Sequence, residues 1–129
     1  MEHKEDIRRL LDYIERHLSR KLELEELAGI AFLSKYHFHR LFRQETGESV
    51  TSYIRRRRMA RAAAELATTG DRILDIALRY QYGSHEAFTR AFKRIYSLTP
   101  EEYRRQHTAA RHIGHHHGAG GTTMCARAA

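Results

Sequence analysis

The chain has 129 residues, which suits one domain or two very small ones built around a modest core. Its 23 Lys and Arg against 16 Asp and Glu give a formal net charge of +7 and a pI of about 9.9, a balance that favours a polyanionic partner without identifying one. No apolar run is long enough to span a bilayer and no signal peptide opens the chain; the one cysteine, Cys125, cannot close an internal disulfide, so the expected compartment is the reducing cytoplasm.

The first predicted element runs from roughly Lys4 to Ser19, where Ile7, Leu10, Leu11, Ile14 and Leu18 step at amphipathic-helix spacing. Its polar face mixes both charge signs and reads as scaffold. Leu24, Leu27, Ala28 and Ala31 make a shorter helix, with Glu23, Glu25 and Glu26 suited to the positive end of its dipole. Phe32-Leu33 is a brief break. Ser34 is then a candidate N-cap for a helix reading K-Y-H-F-H-R-L-F-R from Lys35 to Arg43, continuing to about Thr46 and stopped by Gly47. Phe38 and Phe42, four residues apart, share an inner face, and Arg40 falls on another face beside His39. Two helices joined by a short turn, the second rich in Arg, is the helix-turn-helix pattern. Charge supports one binding face: acids outnumber bases eight to six over residues 1–31, whereas residues 32–64 hold eight bases and two acids.

A helix from about Val50 to Thr68 follows, carrying Arg55 to Arg58 and ending at Thr68-Thr69-Gly70. Eighteen or nineteen residues give a rod of roughly 28 Å, against about 34 Å between successive major-groove faces of B-DNA. Beyond it the first pattern returns as S-H-E-A-F-T-R-A-F-K from Ser84 to Lys93. Leu27-Ala28 corresponds to Ile76-Ala77, and Ser49 to Tyr53 corresponds to Thr99 to Tyr103. The register shifts by one residue across the second turn, Gln81-Tyr82-Gly83. Two copies are too few for a solenoid, so the expected fold is all-α: two helix-turn-helix subdomains joined by a long linker helix, about seven helices in all. The expected boundaries are 1–48, 49–69 and 70–106, with residues 107–129 a disordered His/Gly-rich tail.

The doubled S-x-x-x-F-x-R-x-F-[R/K] pattern, Tyr53-Ile54-Arg55, I-x-x-I-A from Ile73 to Ala77, and F-K-R-I-Y-S-L-T-P-E-E-Y-R-R from Phe92 to Arg105 resemble the AraC/XylS family of bacterial transcription regulators. The likeness covers about Glu5 to Gln106 and is greatest to short members consisting of the DNA-binding domain alone. It implies a seven-helix, two-lobed domain whose third and sixth helices enter successive major grooves of double-stranded DNA, in the bacterial cytoplasm on the nucleoid; with the reader already duplicated within one chain, a monomer on an asymmetric site is expected. The resemblance also implies activation through contact with RNA polymerase. Carried onto this sequence, the base-reading positions are Tyr36, His39 and Arg40 in the first copy and His85, Glu86, Thr89 and Arg90 in the second. Arg40 suits guanine O6 and N7, Tyr36 a thymine methyl, and Glu86 cytosine N4. The His85-Glu86 pair departs from the Gln-Gln of several relatives. Ser34, Lys35, Arg43, Arg55, Arg56, Ser84 and Lys93 are the expected phosphate contacts. The four Phe are expected core, Tyr53 and Tyr103 structural, and His37 partly packed and so outside the site.

No Ser-His-Asp order, paired-carboxylate motif, P-loop or dinucleotide fingerprint occurs, so neither an enzyme nor a cofactor is expected. Cys125 lacks the activating neighbours that a methyl-acceptor cysteine needs. His115, His116, His117 and Cys125 are weak metal candidates, because imidazole and thiolate suit zinc or copper but their spacing matches no structural zinc motif. Two alternatives to sequence-specific regulation stand beside it. One is a non-specific architectural DNA binder, disfavoured by the varied outer faces of the two helices; the other is a metal-responsive regulator using the tail.

Overall fold

A computed structural model describes the backbone of residues 2–117 and the side chains of residues 4–108. Among the described residues the fold is all-α, with seven helices and no strand: α1 Glu2–Arg16, α2 Leu24–Ile30, α3 Lys35–Thr46, α4 Val50–Thr68, α5 Ile73–Arg79, α6 His85–Tyr96 and α7 Pro100–His117. The chain divides into two compact units, Met1–Arg58 and Met59–Ala129, with α4 contributing its first half to one and its second half to the other.

In the first unit α3 packs on α1 and α2. Ile7, Leu10, Ile14 and Leu18 meet Leu27, Ala28, Phe38 and Phe42 in a core of almost fully buried side chains. Phe38 and Phe42 stand edge to face at 5.8 Å, and Tyr53 closes the row at 5.6 Å from Phe42, spacings at which aromatic pairs add to simple burial. α1 ends at Arg16 rather than continuing to Ser19, because His17 N–H turns back to the Ile14 carbonyl at 3.0 Å; Leu18 is buried all the same. The α2–α3 turn is a Schellman motif. Leu33 N–H donates to Ala28 O and Phe32 N–H to Gly29 O, with Phe32 itself at φ 59°.

The second unit repeats this plan. α6 packs on α5 and α7, and Ile76, Ala77, Phe88 and Phe92 form the core with Met59, Ala62, Ala63 and Leu66 of α4. Tyr82 donates its N–H to Ala77 O and Gln81 to Leu78 O, with Gln81 at φ 74°, so the turn geometry survives the extra residue Gly83. Each unit also clasps its helix-turn-helix to the helix before it through a Tyr, a Glu and an Arg. In the first, Tyr13 donates to Glu26, which also accepts from Arg20 at 2.6 Å. In the second, Tyr80 and Arg79 both donate to Glu65.

Over residues 107–117, the first part of the expected tail, the chain is helical: α7 continues to His117. His107 is buried, stacks on Tyr103 at 3.9 Å between ring centroids, and places Nδ1 2.9 Å from the Tyr103 carbonyl. It therefore belongs to the second unit's core, and the Ala-Ala-Arg run that follows carries good helix formers. Residues 118–129, with Cys125, and the side chains of His115, His116 and His117 lie outside the described residues.

Candidate nucleic-acid interface

The sequence of α3 decides what it can offer. The Phe38/Phe42 stripe pins one face, so the residues between must point away. Ser34, in extended backbone, accepts the His37 N–H at 3.2 Å, and Gly47 at φ 85° ends the helix by donating to Arg43 O. Tyr36, His39, Arg40 and Arg43 are all exposed. The Arg40 guanidinium lies 5.6 Å from the Tyr36 ring centroid, a cation–π approach that holds two candidate base readers side by side. His37 is exposed, against the expectation of packing. Its spacing from Phe38 turns it toward a shallow groove of about 290 Å³ lined by Leu33, His37, Arg40, Leu41 and Gln44. The signal that could have found it is its i, i+3 relation to Arg40.

α6 is held in the same way. Phe88 and Phe92 are fully buried, with Tyr82 and Tyr103 against them. Ser84 accepts the Ala87 N–H at 3.1 Å. The helix ends at Ser97, φ 63°, in the position Gly47 fills in the first unit. Glu86 and Arg90 are exposed, while His85 and Thr89 are partly covered. His85 Nε2 lies 3.2 Å from Glu101 Oε2 of α7, and Nδ1 lies 3.5 Å from Thr89 Oγ1. All four second-copy candidates thus start within the first turn and a half of one helix.

The flanking cations differ in how far they are committed elsewhere. Arg43, Arg55 and Lys93 are exposed, with no ion pair among the described residues. Lys35 pairs with Glu25 at 3.5 Å. Arg56 donates from Nε and Nη2 to Glu48 at 3.2 and 2.8 Å and lies over the Tyr53 ring; this guanidinium holds the Glu48 carboxyl below its ordinary range. Arg57 binds Glu15, and Arg58 donates to the Leu18 and Arg20 carbonyls. The four consecutive arginines therefore split: Arg57 and Arg58 fasten α4 to the end of α1, and Arg55 and Arg56 face outward. Among the described residues no group of three or more His, Cys, Asp or Glu could hold a metal ion, and no helix is long and apolar enough to cross a membrane.

Two exposed basic helices, each seated on an aromatic pair behind a short turn, define a tandem helix-turn-helix domain. The profile of the family described as "Helix-turn-helix domain" matches residues 27–106. The chain belongs to the AraC/XylS family of transcription regulators, a family of regulators rather than enzymes. It is 47% identical over 104 residues to the HTH-type transcriptional regulator YbfP of Bacillus subtilis, covering 81% of this chain but 35% of that one. It is 38% identical to the regulatory protein SoxS of Salmonella typhimurium over 81% of this chain and 97% of that one. The chain thus spans about a third of the longer relative and nearly all of the short one. Among solved structures, the DNA-binding domain of AdpA, a global transcriptional factor in complex with a target DNA, superimposes with a TM-score of 0.75 at 27% identity, over 81% of this chain and 95% of that one.

Proposed function

We propose that the protein is a sequence-specific DNA-binding transcription activator that inserts α3 and α6 into successive major grooves as a monomer. The observation that carries this reading is the matched pair of outward faces, each above a buried Phe pair: Tyr36, His39 and Arg40 exposed on α3, and on α6 Glu86 and Arg90 exposed beside the half-buried His85 and Thr89. Arg40 and Arg90 occupy the same place in the two copies and suit bidentate recognition of guanine. Ser34 and Ser84 present helix N-termini to phosphate, and Lys35, Arg43, Arg55, Arg56 and Lys93 supply the charge that draws and orients the duplex. The nineteen residues of α4 give a rod of roughly 28 Å, of the same order as the roughly 34 Å between successive major-groove faces. AarP, an HTH-type transcriptional activator of Providencia stuartii 40% identical over 76% of this chain and 73% of that one, supports activation, for which RNA polymerase is the expected partner.

Selection of binding sites from a random duplex pool at fixed salt tests this reading. Wild type is expected to return an asymmetric site, and Arg40→Ala and Arg90→Ala each to relax one defined base at a cost of about 1–3 kcal/mol. If wild type selects no sequence, a non-specific architectural role replaces the proposal; if neither variant relaxes any base, the assignment of the two readers fails.

A further inference from the structure

We infer that Glu101, the second residue of α7, is a specificity-determining positioning residue that fixes the hydrogen bonding of His85 and thereby the base read at the start of α6. The inference rests on the DNA-reading role proposed above. Adjacent acids at the start of α7 have separate tasks. Thr99 and Glu102 form a complete capping box, with Thr99 N–H donating to Glu102 Oε1 at 2.9 Å and Glu102 N–H to Thr99 Oγ1 at 3.1 Å. Capping is therefore satisfied without Glu101, whose carboxylate instead reaches the first residue of α6 and lies 3.2 Å from His85 Nε2.

A carboxylate only accepts, so Nε2 carries the hydrogen and donates it to Glu101. Nδ1 then faces the Thr89 hydroxyl one turn along at 3.5 Å. Both ring nitrogens are engaged within the protein, and second contacts of this kind are what fix a histidine's tautomer. Nε2–H is withheld from guanine O6 and N7. The carbon edge of the ring and the Thr89 methyl remain, and these suit the C5-methyl of thymine. The arrangement belongs to the second unit alone: the corresponding residues of the first are Lys35 and Thr51, and Lys35 pairs with Glu25.

Two measurements on the full chain test it. In the free protein, imidazole nitrogen NMR, with His85 assigned by its loss in His85→Ala, is expected to show an Nε2–H ring whose signal shifts in Glu101→Ala and Glu101→Gln. In site selection, Glu101→Ala is expected to move preference at one base pair from thymine toward guanine by about tenfold, with the positions read by Arg90 unchanged. The His85→Ala/Glu101→Ala double variant is expected to match His85→Ala alone, because Glu101 acts through His85. An unshifted His85 ring, or Glu101→Ala tightening binding to every sequence equally as loss of a negative charge would, overturns the inference while sequence-specific binding stands. A wild type without sequence preference overturns both, and then the NMR result alone still reports whether the contact exists.

Discussion

At the residue scale, the two copies solve one local problem with different chemistry. Both α3 and α6 end on a residue in left-handed backbone, but the first has Gly47 at φ 85° and the second has Ser97 at φ 63°. A side chain in that conformation costs more than glycine does, and little else at position 97 compensates, since Ser97 is exposed. Ser97→Gly is expected to stabilise the second unit by about 0.5–1 kcal/mol, seen as a rise in the urea midpoint with an unchanged slope. The residue-level features that sequence makes visible are those with a one-residue signature: Ser34 and Ser84 before a helix, Gly47 after one, Phe at i and i+4. Hidden from it were contacts made by long side chains over many residues, such as Arg57 to Glu15 and Arg58 to the Leu18 carbonyl. A run of four arginines is the same string whether each side chain points inward or outward.

At the element scale, helix order and limits followed from apolar spacing, caps and the repeat. Two limits differ from expectation: α1 stops at Arg16 rather than Ser19, and α7 runs to His117, although its last two turns carry polar and small residues with no apolar period. The extension begins with His107 stacking on Tyr103, a contact that the i, i+4 spacing of the two rings allows but does not require. Clasps between elements were equally hidden. The α1–α2 clasp has a measurable signature, because hydrogen bonds from Arg20 and then Tyr13 pull the Glu26 carboxyl down from 4.5 to about 2. A carboxyl whose folded pKa is depressed contributes stability that is full above the unfolded value, near 4.5, and is lost as pH falls through the folded value, near 2. Glu26 is partly exposed, so solvent screening reduces the effect to on the order of 1 kcal/mol. Urea unfolding of wild type and Glu26→Gln is therefore expected to differ by about that much at neutral pH and to converge as pH falls from 4.5 toward 2. A difference that stays constant across this window would place the Glu26 contribution in packing rather than charge.

At the scale of the whole molecule, a net charge of +7 sets attraction to DNA, but the cations behind it are not equally available. Arg55 faces solvent without an ion pair among the described residues, whereas Arg56 must give up Glu48 before it can neutralise a phosphate. Exchanging one anionic partner for another returns little free energy, so Arg56 contributes less to binding than its charge suggests. Glu48→Gln removes that competition while keeping an acceptor for the Ser52 hydroxyl, now 3.1 Å from Glu48 Oε1. A partly exposed pair of this kind is worth up to about 1 kcal/mol, so Glu48→Gln is expected to tighten DNA binding by up to about fivefold at low salt. Because a freed arginine displaces one more counterion, the slope of log affinity against log salt should steepen by up to about 0.9. Fluorescence anisotropy across a salt series measures both quantities. Arg55→Ala should lower the slope by a similar amount, and Arg56→Ala in the wild-type background by less. If Glu48→Gln leaves slope and affinity unchanged while Arg55→Ala lowers them, Arg56 is a scaffold residue holding the start of α4 to Glu48, and the phosphate contact there belongs to Arg55 alone.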